Sequence, residues 1–233
     1  MKIGLVAEVK WEVREVCRQL KLQLLDARDE VWGAELNGHV IRLCLSGMVP
    51  AVAKERVNRF LDSQKLDIMI CSGLAGALRT NIKIGDIIVQ STDPLLVNTA
   101  ESALKERDIP FHSGPLVTVP KPALNGAARR ALAAKSEAIA VDMESQTIAA
   151  LCKARGIPCL ALKGVSDALD DDMEPILGGF DIINIPRIAL RVLSRPGTWP
   201  LAARLARNSY VAANHLGGGV WATLNRLQPP VRS

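Results

Sequence analysis

The stretch Asp67-Ile68-Met69-Ile70-Cys71-Ser72-Gly73-Leu74-Ala75-Gly76-Ala77 decides how the chain is read. Its first five residues form a buried strand, which feeds a loop of small residues over 72–77. Upstream, residues 2–7 read as another short buried strand. A helical pattern follows over about 11–20, with apolar Val13, Val16, Cys17 and Leu20. Residues 31–36 and 40–45 read as strands joined by Asn37-Gly38, a strong hairpin signal. Pro50 suits the first turn of a helix reaching about residue 61. Downstream come a strand over 84–90, a helix over about 98–107 and a strand over 115–119. Pro120 and Pro122 break the pattern before a helix over about 123–134. A short strand over 139–141 leads into a helix that Glu144 opens and Gly156-Ile157-Pro158 stops. Residues 159–165 are the last clear strand, and 181–193 are helical in character. This alternation predicts an α/β protein, three layers deep (αβα), around a mixed, mostly parallel sheet.

The bulk numbers fit a packed enzyme-sized unit. The chain has 233 residues, 48% hydrophobic and 23% charged, so disorder is excluded. No apolar run approaches the roughly 20 residues needed to span a bilayer. Charged residues straight after residue 7 argue against a secretory leader. Five cysteines with no CxxC pair read as buried thiols in a reducing, cytoplasmic setting. Three scattered histidines offer no metal spacing, so neither a metal nor an organic cofactor is expected. The net charge of +5 lies in the tail, where Arg195, Arg204, Arg207, Arg226 and Arg232 are the only charged side chains from residue 195 onward. A neutral body argues against a nucleic-acid partner.

Ligands of such sheets gather at the carboxyl ends of strands. Asp142 and Glu144 follow one strand end and Asp167 follows another. Carboxylates there can accept hydrogen bonds from vicinal hydroxyls or hold a proton for a leaving nitrogen. Acids near a helix N-terminus also serve as simple caps.

Four segments, in matching order across residues 1–194, resemble the nucleoside phosphorylase/nucleosidase superfamily. They are the N-terminal residues 1–13; Gly73-Leu74-Ala75-Gly76-Ala77-Leu78 with Ile84-Gly85-Asp86-Ile87-Ile88-Val89; Ala140-Val141-Asp142-Met143-Glu144-Ser145; and Lys163-Gly164-Val165-Ser166-Asp167. The resemblance implies a phosphorylase/hydrolase-like fold and cleavage of a nucleoside's N-glycosidic bond. It implies that Glu144 binds the ribose 2′- and 3′-hydroxyls, that Met143 packs under the sugar, and that Asp167, oriented by Ser166, protonates or hydrogen-bonds the purine at N7. Glu12 matches the carboxylate that activates water in nucleosidases; its other reading is an exposed helix residue. Gly73, Leu74 and Lys163 fall at substrate-binding positions, and Val9 and Met48 would line the side facing the sugar's 5′ substituent.

Some positions depart from the family pattern. Leu74 removes a hydroxyl that contacts phosphate in many phosphorylases, so inorganic phosphate stands as an optional co-substrate. Lys163 replaces the usual arginine and loses its planar fork. Pro122 falls near the position of the nucleosidases' base-stacking aromatic. Residues 195–233 resemble the extension of the hopanoid-associated phosphorylases, implying adenosylhopane as substrate and adenine as product. Two other functions stand beside that one: a methylthioadenosine/S-adenosylhomocysteine-type nucleosidase, and a catalytically silent nucleoside-binding protein. The basic, amphipathic tail reads either as a peripheral membrane contact or as a docking or oligomer helix. The family habit of completing sites across subunits implies a homo-oligomer.

Overall fold

The computed structural model describes residues 1–28, 30–47, 50–179 and 185–228. Its first half runs β1 (Lys2–Ala7), α1 (Arg14–Leu20), β2 (Gln23–Asp26), β3 (Val31–Leu36), β4 (His39–Leu45), α2 (Pro50–Gln64), β5 (Ile68–Ala77), β6 (Ile87–Ser91) and α3 (Pro94–Lys105). The second half runs β7 (Phe111–Ser113), β8 (Leu116–Thr118), α4 (Gly126–Lys135), β9 (Ala140–Asp142), α5 (Ser145–Lys153), β10 (Cys159–Asp167), α6 (Glu174–Leu177), α7 (Ile185–Ser194) and α8 (Trp199–Arg226). One sheet joins all the strands in the order β2-β3-β4-β1-β5-β10-β6-β7, with β9 and β8 branching from the far end of β5.

Its centre is parallel. Ile3 on β1 stands beside Ile41 of β4 and Ile68 of β5, and β10 runs parallel to β5 on the other side. Alternate side chains therefore enter two cores. Ile3, Leu5, Ile70 and Leu162 pack with residues of α1, α3 and α8. Val6, Met69, Cys71 and Ala161 pack with Val57 and Phe60 of α2 and Ile148 of α5. Helices cover both faces, which is the three-layer arrangement expected from the alternating pattern. Asn37 and Gly38, both at positive φ, close the β3–β4 hairpin.

Two features differ from the sequence reading. Residues 72–77 are not a loop but the continuation of β5, held on both sides: Gly73 lies opposite Lys163, and Gly76 lies opposite Asp167 and Val141. Ladder pairing overrides the weak strand preference of small residues. The short strands β2 and β7 carry no period-2 signal and escape the pattern search. Within the helical stretch predicted over 181–193, residues 181–184 lie outside the described set.

Helix α8 also changes how the tail is understood. Leu216, Val220 and Leu224 are fully buried in the same core as β1 and β10. A Cβ on Gly164 would lie 2.7 Å from the Ala212 carbonyl oxygen, so the helix sits directly on the β10 backbone. His39 Nε2 donates to the Leu227 carbonyl at 3.0 Å, pinning the helix end to β4. The C-terminal half of α8 is thus packed into the same body as residues 1–194. Among the described residues, no helix is long and apolar enough to cross a membrane.

Candidate active site

The carboxyl ends of β1, β5, β9 and β10 converge on one place. Lys163 of β10 is fully buried beneath it, opposite Gly73. Its Nζ pairs with Glu144 Oε1 and lies 3.1 Å from Asp142 Oδ2. Space for that ammonium depends on the glycine: a Cβ at Gly73 would stand 3.0 Å from Nζ and 3.1 Å from Glu144 Oε1. Burial alone would lower the lysine's pKa, but Cys71, Glu144 and Asp142 around it outweigh that and hold it well above the usual range.

Asp142 is both cap and counter-ion. It accepts the Ser145 backbone N–H at 3.1 Å, at the start of α5, and the Thr118 hydroxyl at 2.7 Å. Glu144, at the N-cap position of α5, makes no side-chain capping bond and is left for other work. Capping therefore accounts for part of Asp142 and none of Glu144.

Asp167 is fixed by a bulge and two donors. The β5–β10 register shifts between Val165 and Asp167, which places Asp167 opposite Gly76. Ser166 Oγ donates to Oδ1 at 2.6 Å, and Arg129 Nη2 donates to Oδ2 at 2.9 Å. The other guanidinium nitrogen of Arg129 donates to the carbonyls of Ala168 at 2.9 Å and Asp171 at 2.8 Å. Arg129 is fully buried on α4. A Cβ at Gly76 would come within 2.4 Å of Asp167 Oδ2, so the carboxyl rests against bare backbone.

Glu12 precedes α1 and is 7% exposed, and its Oε2 has no hydrogen-bond partner among the described residues. Burial, reinforced by the charge of Glu144, pushes its carboxyl from 4.5 up to about 8. The exposed-helix reading of this residue is thereby replaced: its side chain is buried.

Asp167, Ser166, Glu12, Glu144, Met143 and Leu74 all line one cavity of roughly 360 Å³. Its remaining walls are largely apolar, from Pro122, Ile176, Ile188 and Val192 to Leu205 of α8. Pro122, near the position of the nucleosidases' base-stacking aromatic, contributes a pyrrolidine ring to this wall. Lys163 and Gly73 do not line the cavity; they lie under it and hold Glu144. Val9 lines an adjoining cavity with Trp11 and Tyr210 rather than this one. Met48 lies outside the described residues.

Two residues of the site were not anticipated. Glu8 lines the cavity directly after β1, and the strand-mouth argument applied to Asp142 and Asp167 would have found it. Arg129 carries no comparable signal, because nothing local distinguishes it from its neighbour Arg130.

Comparison with known proteins agrees with this fold. The family model described as "Phosphorylase superfamily" matches residues 2–92 and 90–181. Futalosine hydrolase of Helicobacter pylori superposes with a TM-score of 0.78 at 15% identity, covering 97% of this chain and 98% of that one. The 5′-methylthioadenosine/S-adenosylhomocysteine nucleosidase of Campylobacter jejuni gives a TM-score of 0.72 at 18% identity, over 97% and 100% of the two chains. The same nucleosidase from S. pneumoniae, with a transition-state inhibitor, gives 0.75 at 18% identity, over 98% and 100%. Such coverage takes in α8, so the terminal helix lies within the shared fold.

Proposed function

Because the chain belongs to the phosphorylase superfamily, we propose that it cleaves the N-glycosidic bond of a purine nucleoside, using its own side chains and no cofactor. The observation that carries this reading is the convergence of Asp167, Glu144 and Glu12 on one cavity. Glycosidic cleavage builds positive charge on the sugar and negative charge on the leaving base. Asp167, gripped by Ser166 and Arg129, meets the base at N7. Glu144, steadied by Lys163, takes the ribose hydroxyls while Met143 packs beneath the ring. Hydroxyl contacts that strengthen as the sugar becomes cationic lower the barrier.

The nucleophile in this reading is water activated by Glu12. Support comes from Glu12, which lines the cavity and whose Oε2 has no hydrogen-bond partner among the described residues, and from Leu74, which offers no hydroxyl to phosphate. Phosphate remains the alternative co-substrate. For the 5′ substituent we propose an apolar group, as in adenosylhopane, supported by the apolar walls that α7 and α8 contribute. A methylthioadenosine/S-adenosylhomocysteine nucleosidase is the second reading, favoured by the fold likeness to those enzymes. A homo-oligomer and a peripheral membrane contact through the basic C-terminal region complete the proposal.

Adenine release tests it. Purified protein is given methylthioadenosine and an adenosine with a long 5′-alkyl chain, each with and without phosphate. Release from both without phosphate supports hydrolysis. Preference for the alkyl substrate supports the apolar 5′ pocket, and release only with phosphate overturns the water mechanism. No release from either substrate, with or without phosphate, overturns the glycosidic reading.

A further inference from the structure

Glu8 has no part in the mechanism above, yet it stands at its centre. It follows β1, and its side chain lies within hydrogen-bonding reach of the carboxyl of Glu144. Two carboxylates cannot hydrogen-bond to each other without a proton between them. Burial, opposed in part by Lys163, raises both carboxyls above the usual carboxylate range, which favours a proton on the pair. The charged and titratable groups facing the pair are Glu12 before α1, Asp142 at the end of β9 and Lys163 on β10, with Cys71 of β5 beside the lysine.

The position of Glu8 is as telling as its partner. A second cavity, of roughly 350 Å³, lies on the side of Ser46, Lys54 and Thr147. Glu8, Met143 and Glu144 are the residues that line both this cavity and the main one. They form the partition between the two. Met143 and Glu144 are the side chains assigned above to the sugar, so Glu8 completes the same wall. Lys163 already engages Oε1 of Glu144, which leaves Oε2 as its open oxygen. A vicinal diol donates two hydrogen bonds, and a second carboxyl meets that demand.

We propose that Glu8 is a second sugar-binding carboxyl, which brackets the vicinal hydroxyls together with Glu144 and makes the site require both of them. The proposal rests on the glycosidic reading for the placement of the sugar. Glu8 would accept from one hydroxyl while Glu144 accepts from the other. Replacing a hydroxyl by hydrogen would strand one half-buried carboxyl, and sites that hydrogen-bond a hydroxyl reject the analogue lacking it.

The test compares a 5′-alkylthioadenosine with its 2′-deoxy and 3′-deoxy counterparts. Both kcat/KM and direct calorimetric binding are measured on wild type, Glu8→Ala and Glu8→Gln. Glu8→Ala is expected to lower kcat/KM for the ribo substrate by about tenfold or more, the effect of losing a hydrogen bond to a charged group. At least one deoxy analogue should be almost unaffected, so that discrimination collapses. Glu8→Gln keeps the volume and one acceptor oxygen and should discriminate at an intermediate level, with an unfolding midpoint close to wild type. Equal losses on all three compounds, or unchanged discrimination, overturn the proposal. Calorimetry separates the two ideas: Glu8-dependent discrimination in binding without any base release would retain the Glu8 assignment and remove the glycosidic reading.

Discussion

Arg129 donates to Asp167 Oδ2 at 2.9 Å from a position with no solvent exposure, reaching across from α4 to the end of β10. Removing one partner of such a pair leaves a buried charge without compensation, which costs about 3–5 kcal/mol. Arg129→Met should therefore lower the unfolding midpoint sharply. Adding Asp167→Asn to it should restore part of that loss, because the second change removes the stranded carboxylate. A double-mutant cycle read by thermal unfolding measures this, and additive effects would show the two groups to be independent.

Asp167→Asn alone keeps the shape of the site and removes its proton chemistry. A loss of about 10²–10⁴ in kcat is expected, with KM little changed. Release of adenine measured at saturating substrate checks it. A variant with wild-type turnover would remove Asp167 from the mechanism.

Glu12 gives the protein a pH signature. Its carboxyl is raised from 4.5 to about 8 in the folded state, so the native protein keeps a proton that the unfolded chain releases. Stability from this group is complete below about pH 4.5 and is lost as pH rises through about 8. Glu12→Gln should flatten that decline and be relatively more stable at pH 8 than wild type. Activity should move the opposite way, because a base must be ionised to act. Wild-type kcat/KM is expected to climb towards pH 8 as stability falls, and Glu12→Gln should lack both slopes. Parallel stability curves for the two proteins would mean that Glu12 does not hold this proton.

Much of this architecture was legible because it rests on local signals. The Asn37-Gly38 turn and the apolar runs of β1, β4 and β10 needed only period and turn chemistry. Asp167 and Glu144 could be found because each follows a strand end within a recognisable motif. The rest depends on tertiary contact. Residues 72–77 look like a loop until β9 and β10 pair with them. Lys163 keeps the charge expected at its position, but complete burial turns it from a substrate contact into a support for Glu144. Arg129 and Arg130 are adjacent in sequence; the first is buried against Asp167 and the second pairs with Asp170 at the surface.

Gly73 tests that support. Gly73→Ala would place a methyl 3.0 Å from Lys163 Nζ and 3.1 Å from Glu144 Oε1, so one of them must move. The sugar site then shifts while Asp167 stays in place. KM should rise by about tenfold, the effect of roughly 1.4 kcal/mol, with a smaller change in kcat. Steady-state kinetics separates the two, and an unchanged KM would mean that the cluster absorbs the methyl without consequence.

The membrane contact calls for a different variant from the obvious one. Deleting residues from 195 onward would strip Leu216, Val220 and Leu224 out of the main core. Each buried side chain of this kind contributes about 1.5–3 kcal/mol, so together they approach the whole stability of an ordinary domain. Such a truncation should fail to fold, and its failure to bind vesicles would say nothing. Surface changes are the sharper tool. Leu190 and Leu193 of α7 are 68% and 70% exposed, and Trp199 at the start of α8 is 53% exposed. Ile188 and Val192 of the same helix α7 line the cavity. Wild type is expected to sediment with vesicles containing anionic lipid, and Leu190→Ser/Leu193→Ser/Trp199→Ser to stay in the supernatant. Turnover of a soluble nucleoside should be the same for both, because none of the three side chains lines the cavity. Equal sedimentation of the two proteins would remove this face as a membrane contact and leave the exposed apolar residues to an oligomer interface, which sedimentation velocity on the same variants would detect.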